Sequence, residues 1–97
     1  MKKNLLNSYK CQYYIEKIKQ GCGERAYCLR VAKEYQRDAT YIRKIEGKNS
    51  DYFHKTQMVV TYRTLVKDWN NLIDRFCSHL EDEIKWHYNL NRTEQVA

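Results

Sequence analysis

Tyr62-Arg63-Thr64-Leu65-Val66-Lys67-Asp68-Trp69-Asn70-Asn71-Leu72-Ile73-Asp74-Arg75-Phe76-Cys77-Ser78-His79-Leu80-Glu81-Asp82-Glu83-Ile84 is the stretch that decides the fold. Its apolar residues, Tyr62, Leu65, Val66, Trp69, Leu72, Ile73, Phe76, Leu80 and Ile84, recur every three or four positions. That is the period of a helix with one buried face. The pattern predicts a long amphipathic helix over 52–90, opened by the turn-and-cap cluster Asn49-Ser50-Asp51. Unbroken, such a helix is ~60 Å long at about 1.5 Å per residue, whereas a compact globule of this chain length has a radius of gyration of ~13 Å. The sequence therefore predicts either a break near Thr61 or Asn70-Asn71, or a far end packed on a second copy of the chain. The polar end, Asn91 to Ala97, is expected to fray.

Working back from that helix, the chain contains no proline and three glycines, Gly21, Gly23 and Gly47. Sandwiches and barrels turn often and spend glycine and proline on the turns, so their scarcity points to helices. A helix is predicted from about Leu5 to Lys19, with Cys11, Tyr14, Ile15 and Ile18 on one stripe and Leu6, Tyr9 and Tyr13 widening it. Gly21-Cys22-Gly23 reads as its stop. A second helix follows from about Glu24 to Tyr35, with Cys28, Val31, Ala32 and Tyr35 inward. Asp38 reads as the N-cap of a third, Ala39 to Glu46, with Ile42 and Ile45 inward and Gly47 ending it. The expected fold class is all-α: one small helical domain over 1–97, with short N-terminal helices and a long C-terminal amphipathic helix. With 97 residues the core is thin, so a large internal cofactor cavity is not expected.

The net charge of +6 is unevenly spread. Residues 1–50 carry twelve Lys and Arg against five Asp and Glu, while residues 51–97 carry six against seven. A basic half beside a neutral half is the footprint of an anionic partner, nucleic acid or a protein surface that resembles it; basic faces also simply keep small proteins soluble. No stretch approaches the ~20 apolar residues of a membrane span, and the apolar run at Leu5-Leu6 is too short for a signal peptide. A cytoplasmic location is expected, with Cys11, Cys22, Cys28 and Cys77 reduced.

Residues 28–48 carry the motif with most information: Cys28-Leu29-Arg30-Val31-Ala32-Lys33-Glu34-Tyr35-Gln36-Arg37-Asp38-Ala39-Thr40-Tyr41-Ile42-Arg43-Lys44-Ile45-Glu46-Gly47-Lys48. Short helix, tight turn, short helix: this resembles the helix-turn-helix of the Cro/repressor-like (XRE) family. Ala32 matches the small residue at which that family's helices cross, and Val31, Tyr35, Ile42 and Ile45 match the apolar residues around it. Ile45-Glu46-Gly47-Lys48 is similar to the family's closing motif, one residue short. Gln36 and Arg37 stand where the family usually has glycine and an apolar residue. The resemblance implies a second helix entering the major groove, with Thr40, Tyr41, Arg43 and Lys44 facing bases or phosphates and Arg37 and Lys48 clamping phosphates. It also implies a homodimer through the 52–90 helix.

Catalysis and cofactors are not expected. Cys22, Cys28, Cys77 and His79 offer the ligand types for zinc, but the first pair is spaced too widely and the second too tightly for tetrahedral convergence. No Cys/His nucleophile signature and no phosphate-binding glycine loop are present. The leading expectation is a small, non-enzymatic, DNA-binding transcription regulator whose partner is duplex DNA. The alternative is an inhibitor or adaptor of the phage or mobile-element type that binds a host nucleic-acid-processing protein. The nine tyrosines and two tryptophans suit either an interface or single-stranded nucleic acid, and most also suit the edge of a core. Tyr14, Tyr35 and Tyr62 are expected at that edge, while Tyr9, Tyr13 and Tyr41 stay open.

Overall fold

The computed structural model describes residues 8–96, with side chains described through residue 89. The expected contribution of Leu5 and Leu6 lies outside the described residues. Two helices account for nearly all of the described residues: α1, Tyr9–Ile45, and α2, Ser50–Val96. They fold back on each other as an antiparallel hairpin, 75 × 18 × 15 Å along its principal axes. The all-α class and the long C-terminal helix are as the periodicity predicts. No helix among the described residues is long and apolar enough to cross a membrane.

The three short N-terminal helices are instead one. Helix α1 is capped by Ser8, whose side chain accepts a hydrogen bond from the Cys11 N–H at 3.1 Å, and runs unbroken from Tyr9 to Ile45. Two local stop signals are overridden. Each glycine inside a helix costs only about 1 kcal/mol relative to alanine. At Gly21 that cost is offset by a close approach: a Cβ there would lie 2.8 Å from Cγ1 of Ile73. Nor does Asp38 cap a helix: its carboxylate faces Lys55 of α2 at 3.8 Å. Residues 28–45 are therefore a single straight run, with no turn at 36–38 and no crossing of two helices at Ala32.

The seam between the helices has the alternating three-and-four spacing of a two-stranded coiled coil. On α1 the positions turned toward α2 are Cys11, Tyr14, Ile18, Gly21, Arg25, Cys28, Ala32, Tyr35, Ala39 and Ile42, all buried or half-buried. On α2 they are Tyr52, Lys55, Val59, Tyr62, Val66, Trp69, Ile73, Phe76, Leu80, Glu83 and His87, likewise covered. Gly21 against Ile73, Tyr14 against Phe76 and Tyr35 against Tyr62 set the register. At Gly21 that register sets a small residue on α1 against a large one on α2, and at Tyr14 and Tyr35 it sets aromatic rings against each other.

Helix α2 does not break at Asn70-Asn71. Asn70 Oδ1 accepts a hydrogen bond from Arg25 Nη1 at 2.8 Å, so the asparagine is used across the seam and not in a turn. A polar pair in such a seam specifies register at some cost in stability. The helix also continues past Leu90 to Val96, since neither glycine nor proline follows Gly47 to end it. The far end has α1 of the same chain as its neighbour up to about the level of Tyr9. The radius of gyration is 21.5 Å, well above the ~13 Å of a globule of this length. Four residues expected on apolar faces lie outward, Tyr9 at 87% exposed, Tyr13 at 48%, Ile45 at 62% and Leu65 at 37%.

The turn between the helices follows the sequence closely. Gly47 adopts φ 81°, the left-handed conformation that a β-carbon disfavours. Asn49 then caps α2, its Oδ1 accepting from the Tyr52 N–H at 2.9 Å.

Candidate nucleic-acid interface

A single helix through 28–45 changes which side chains share a face. Positions turned away from α2 follow the same three-and-four rule as the seam. Tyr27, Arg30, Glu34, Arg37, Tyr41 and Lys44 form an outward stripe, with Lys33 beside it and Lys48 just past the helix end; all eight are exposed. From Tyr27 to Lys44 the stripe is about 26 Å long at the rise of an α-helix.

Of the six residues expected to meet nucleic acid, Arg37, Tyr41, Lys44 and Lys48 fall on this surface. Tyr41 is 65% exposed. Arg43 is exposed too, but by its helical position it points toward the flank of the hairpin. Thr40 is different. It is half-buried, and its hydroxyl donates to the Gln36 carbonyl at 2.9 Å and lies 3.4 Å from Gln36 Nε2. Its oxygen serves the helix, and it does not lead a recognition helix into a groove. Ala39, expected at the start of that helix, is 1% exposed against α2.

The stripe carries one acid of its own, Glu34, one turn from Arg30 and Arg37 and in no ion pair among the described residues. Of the acids beside it, Asp38 is drawn to Lys55, and Glu46 accepts a hydrogen bond from Asn49 Nδ2 at 2.7 Å. The ion pairs among the described residues are Lys19–Glu16, Lys55–Asp38 and His87–Glu83. None of them engages Arg30, Lys33, Arg37, Arg43, Lys44 or Lys48. Arg30 instead lies over the Tyr27 ring, 5.5 Å from its centroid, so cation and aromatic form one unit. Arg43 and Lys44 also stand in the last turn of α1, where a positive charge complements the helix dipole. That local role accounts for two of the bases, but not for Arg30, Lys33, Arg37 and Lys48.

Arg30 and Lys33 are the members that sequence reasoning missed. A motif divided by a turn at 36–38 assigns them to a supporting helix. The signal that finds them is the heptad spacing of Arg30, Arg37 and Lys44, legible once the helix is continuous.

Elsewhere the chemistry is spare. A shallow open groove of about 400 Å³ runs between the helices beside Val31, Tyr35, Asp38, Lys55 and Tyr62, with Tyr27 and Glu34 of the stripe at its edge. Within it Lys55 Nζ lies 5.2 Å from the Tyr35 ring centroid. All four cysteines are free; Cys11 and Cys28 are buried in the seam, and Cys22 and Cys77 are half-buried. His79 stacks on Tyr14 with ring centroids 5.6 Å apart. No group of three or more His, Cys, Asp or Glu among the described residues is placed to hold a metal. Tyr14, Tyr35 and Tyr62 lie half-buried at the core edge, and Tyr9, Tyr13 and Tyr41 stand in the open. No family model, curated protein or solved structure matches this chain.

Proposed function

We propose that the protein is a non-enzymatic DNA-binding regulator that lays the loop-proximal half of α1 along a duplex. The observation that carries this reading is the set of exposed, unpaired bases on that segment: Lys33, Arg37, Arg43, Lys44 and Lys48, with Arg30 beside them. Cations held on a rigid helix and left without carboxylate partners keep their full attraction for phosphates. An α-helix fits the B-DNA major groove, and arginine presents paired donors to guanine or to phosphate oxygens. In a hairpin, α2 covers the back of α1, so the outward stripe and the bases that flank it are what reaches the duplex. Phosphate contact comes first, and base readout falls to Arg37, Tyr41 and Lys44.

The test is binding to labelled duplex, single-stranded DNA and RNA across a salt titration. Tight duplex binding with a steep negative salt slope is expected, and the slope should fall by about 0.9 for each phosphate-contacting base removed. Changing Arg37 and Lys44 together to alanine should weaken duplex binding at least tenfold while leaving helicity unchanged. Absence of duplex binding at ~50 mM salt, where phosphate contacts are strongest, sinks the reading.

A second reading, from a different class, has its own observation. Tyr27, Tyr41 and Ile45 are 49%, 65% and 62% exposed and are interleaved with the bases. Aromatic residues and arginine are the side chains that anchor protein interfaces. On that reading the same face docks on an acidic host nucleic-acid-processing protein, as an inhibitor or adaptor of the phage or mobile-element type. Failure to bind any nucleic acid, with inhibition of such a protein that Tyr41→Ala relieves, selects it.

A further inference from the structure

Helix α2 is apolar on more of its circumference than one partner helix covers. Beside its seam, on one side, Met58, Leu65, Leu72 and Trp86 recur at intervals of seven or its multiple. Leu65 is 37% and Trp86 57% exposed, and Met58 and Leu72 are half-buried. A third apolar position in each heptad marks a helix with neighbours on two sides.

The charge pattern of α2 says what covers this side. Lys55 and Glu83 face α1 and pair with Asp38 and His87. Of the remaining charges between Tyr52 and Asp82, the first part carries Arg63 and Lys67 and no acid, and the second carries Asp68, Asp74, Glu81 and Asp82 against Arg75 alone, with Asp51 and Lys85 flanking the stretch. The sign changes between Lys67 and Asp68. A stretch that is basic in one half and acidic in the other complements a copy of itself running in the opposite direction, and repels one running the same way.

The geometry points to a second copy of this chain as the occupant. Two hairpins pack α2 against α2, antiparallel, about a twofold axis midway between Leu65 and Leu72, so that Leu65 of each copy lies against Leu72 of the other. The result is a four-helix bundle whose two outer helices are the α1 chains. This interface is isologous, as a twofold requires. It leaves the outward stripe of α1 free and does not depend on what that stripe binds.

Sedimentation equilibrium on the full chain tests the arrangement. The wild type is expected at twice its monomer mass at ~10 μM, within the ordinary range of specific association. Leu65→Glu buries a charge at the axis and should raise the dimer dissociation constant about 100-fold with helicity retained. Leu65→Ala, which keeps a strong helix former, should weaken it about tenfold and serves if the glutamate variant fails to fold. The double variant L65E/L72K should restore the dimer, since only antiparallel packing brings residue 65 against residue 72. Arg75→Glu, at an exposed site, removes the one base from the acidic half and should tighten association. A monomer at ~100 μM overturns the proposal, as does a dimer indifferent to both Leu65 variants. A dimer that L65E breaks and L65E/L72K leaves broken overturns the antiparallel register, as does one that Arg75→Glu weakens.

Discussion

Gly21 and Gly23 are the same residue type two positions apart, and they do opposite things. A Cβ at Gly21 would sit 2.8 Å from Ile73 Cγ1 and 3.7 Å from Trp69 Cε3, while a Cβ at Gly23 meets nothing within 4 Å. Ile73 is β-branched, with few rotamers to yield to, and it is 6% exposed. At Gly21 alanine gains about 1 kcal/mol of helix propensity and loses about 1–3 kcal/mol to overpacking. Gly21→Ala is therefore expected to lower stability by about 1 kcal/mol and Gly23→Ala to raise it by about the same amount, read by urea unfolding with an unchanged m-value. Equal effects from the two substitutions contradict the seam described here. Read locally, both glycines look like a helix stop, because the sequence does not say that Ile73 lies opposite one of them.

A helix is a cooperative unit, and the continuity of α1 is the point on which elements matter most. Gln36, Arg37 and Asp38 look like a turn because Asp38 is a good capping residue. In the hairpin the Asp38 carboxylate reaches Lys55, and Gln36 lends its carbonyl to Thr40. Proline separates the two possibilities. In a turn, Arg37→Pro is tolerated; inside a helix it removes a hydrogen bond and clashes one turn back, at a cost of about 3 kcal/mol. We expect a loss of that size by thermal or chemical melting, and a loss below about 1 kcal/mol restores the helix-turn-helix. The loop 46–49 shows the converse case. Gly47 and Asn49 each have a conformation or hydrogen bond that their neighbours cannot replace, and both are legible in sequence.

For the whole molecule, shape is the observable. A hairpin with a radius of gyration of 21.5 Å is distinct from a bundle of four short helices at ~13 Å. Small-angle scattering on the Leu65→Glu monomer should return a value near the larger figure, slightly raised by the hydration shell. A value near the smaller one would mean that α1 folds back on itself. The thin seam also explains why a second apolar side matters here. Its buried residues on α1 are Cys11, Gly21, Cys28, Ala32 and Ala39, all small, and those on α2 are Val59 and Ile73, while the larger seam residues of both helices are half-buried.

The sequence by itself determined the helical class, the period of α2, the Gly47 turn, the turn-and-cap cluster that holds Asn49 and the basic character of the first half. These rest on signals that act within one turn or one helix face, where neighbours in sequence are also neighbours in space. Only the tertiary structure decided that α1 is one helix, that Ala39 turns inward while Thr40 bonds back to its own helix, and that Arg30, with Lys33 beside it, joins Arg37 and Lys44 on one stripe. The physical reason is a matter of size. A glycine or an unused cap shifts the local balance by about 1 kcal/mol, and a run of packed layers against α2 outweighs it. Those layers exist only after residues some fifty positions apart, Gly21 and Ile73 among them, have been brought into contact.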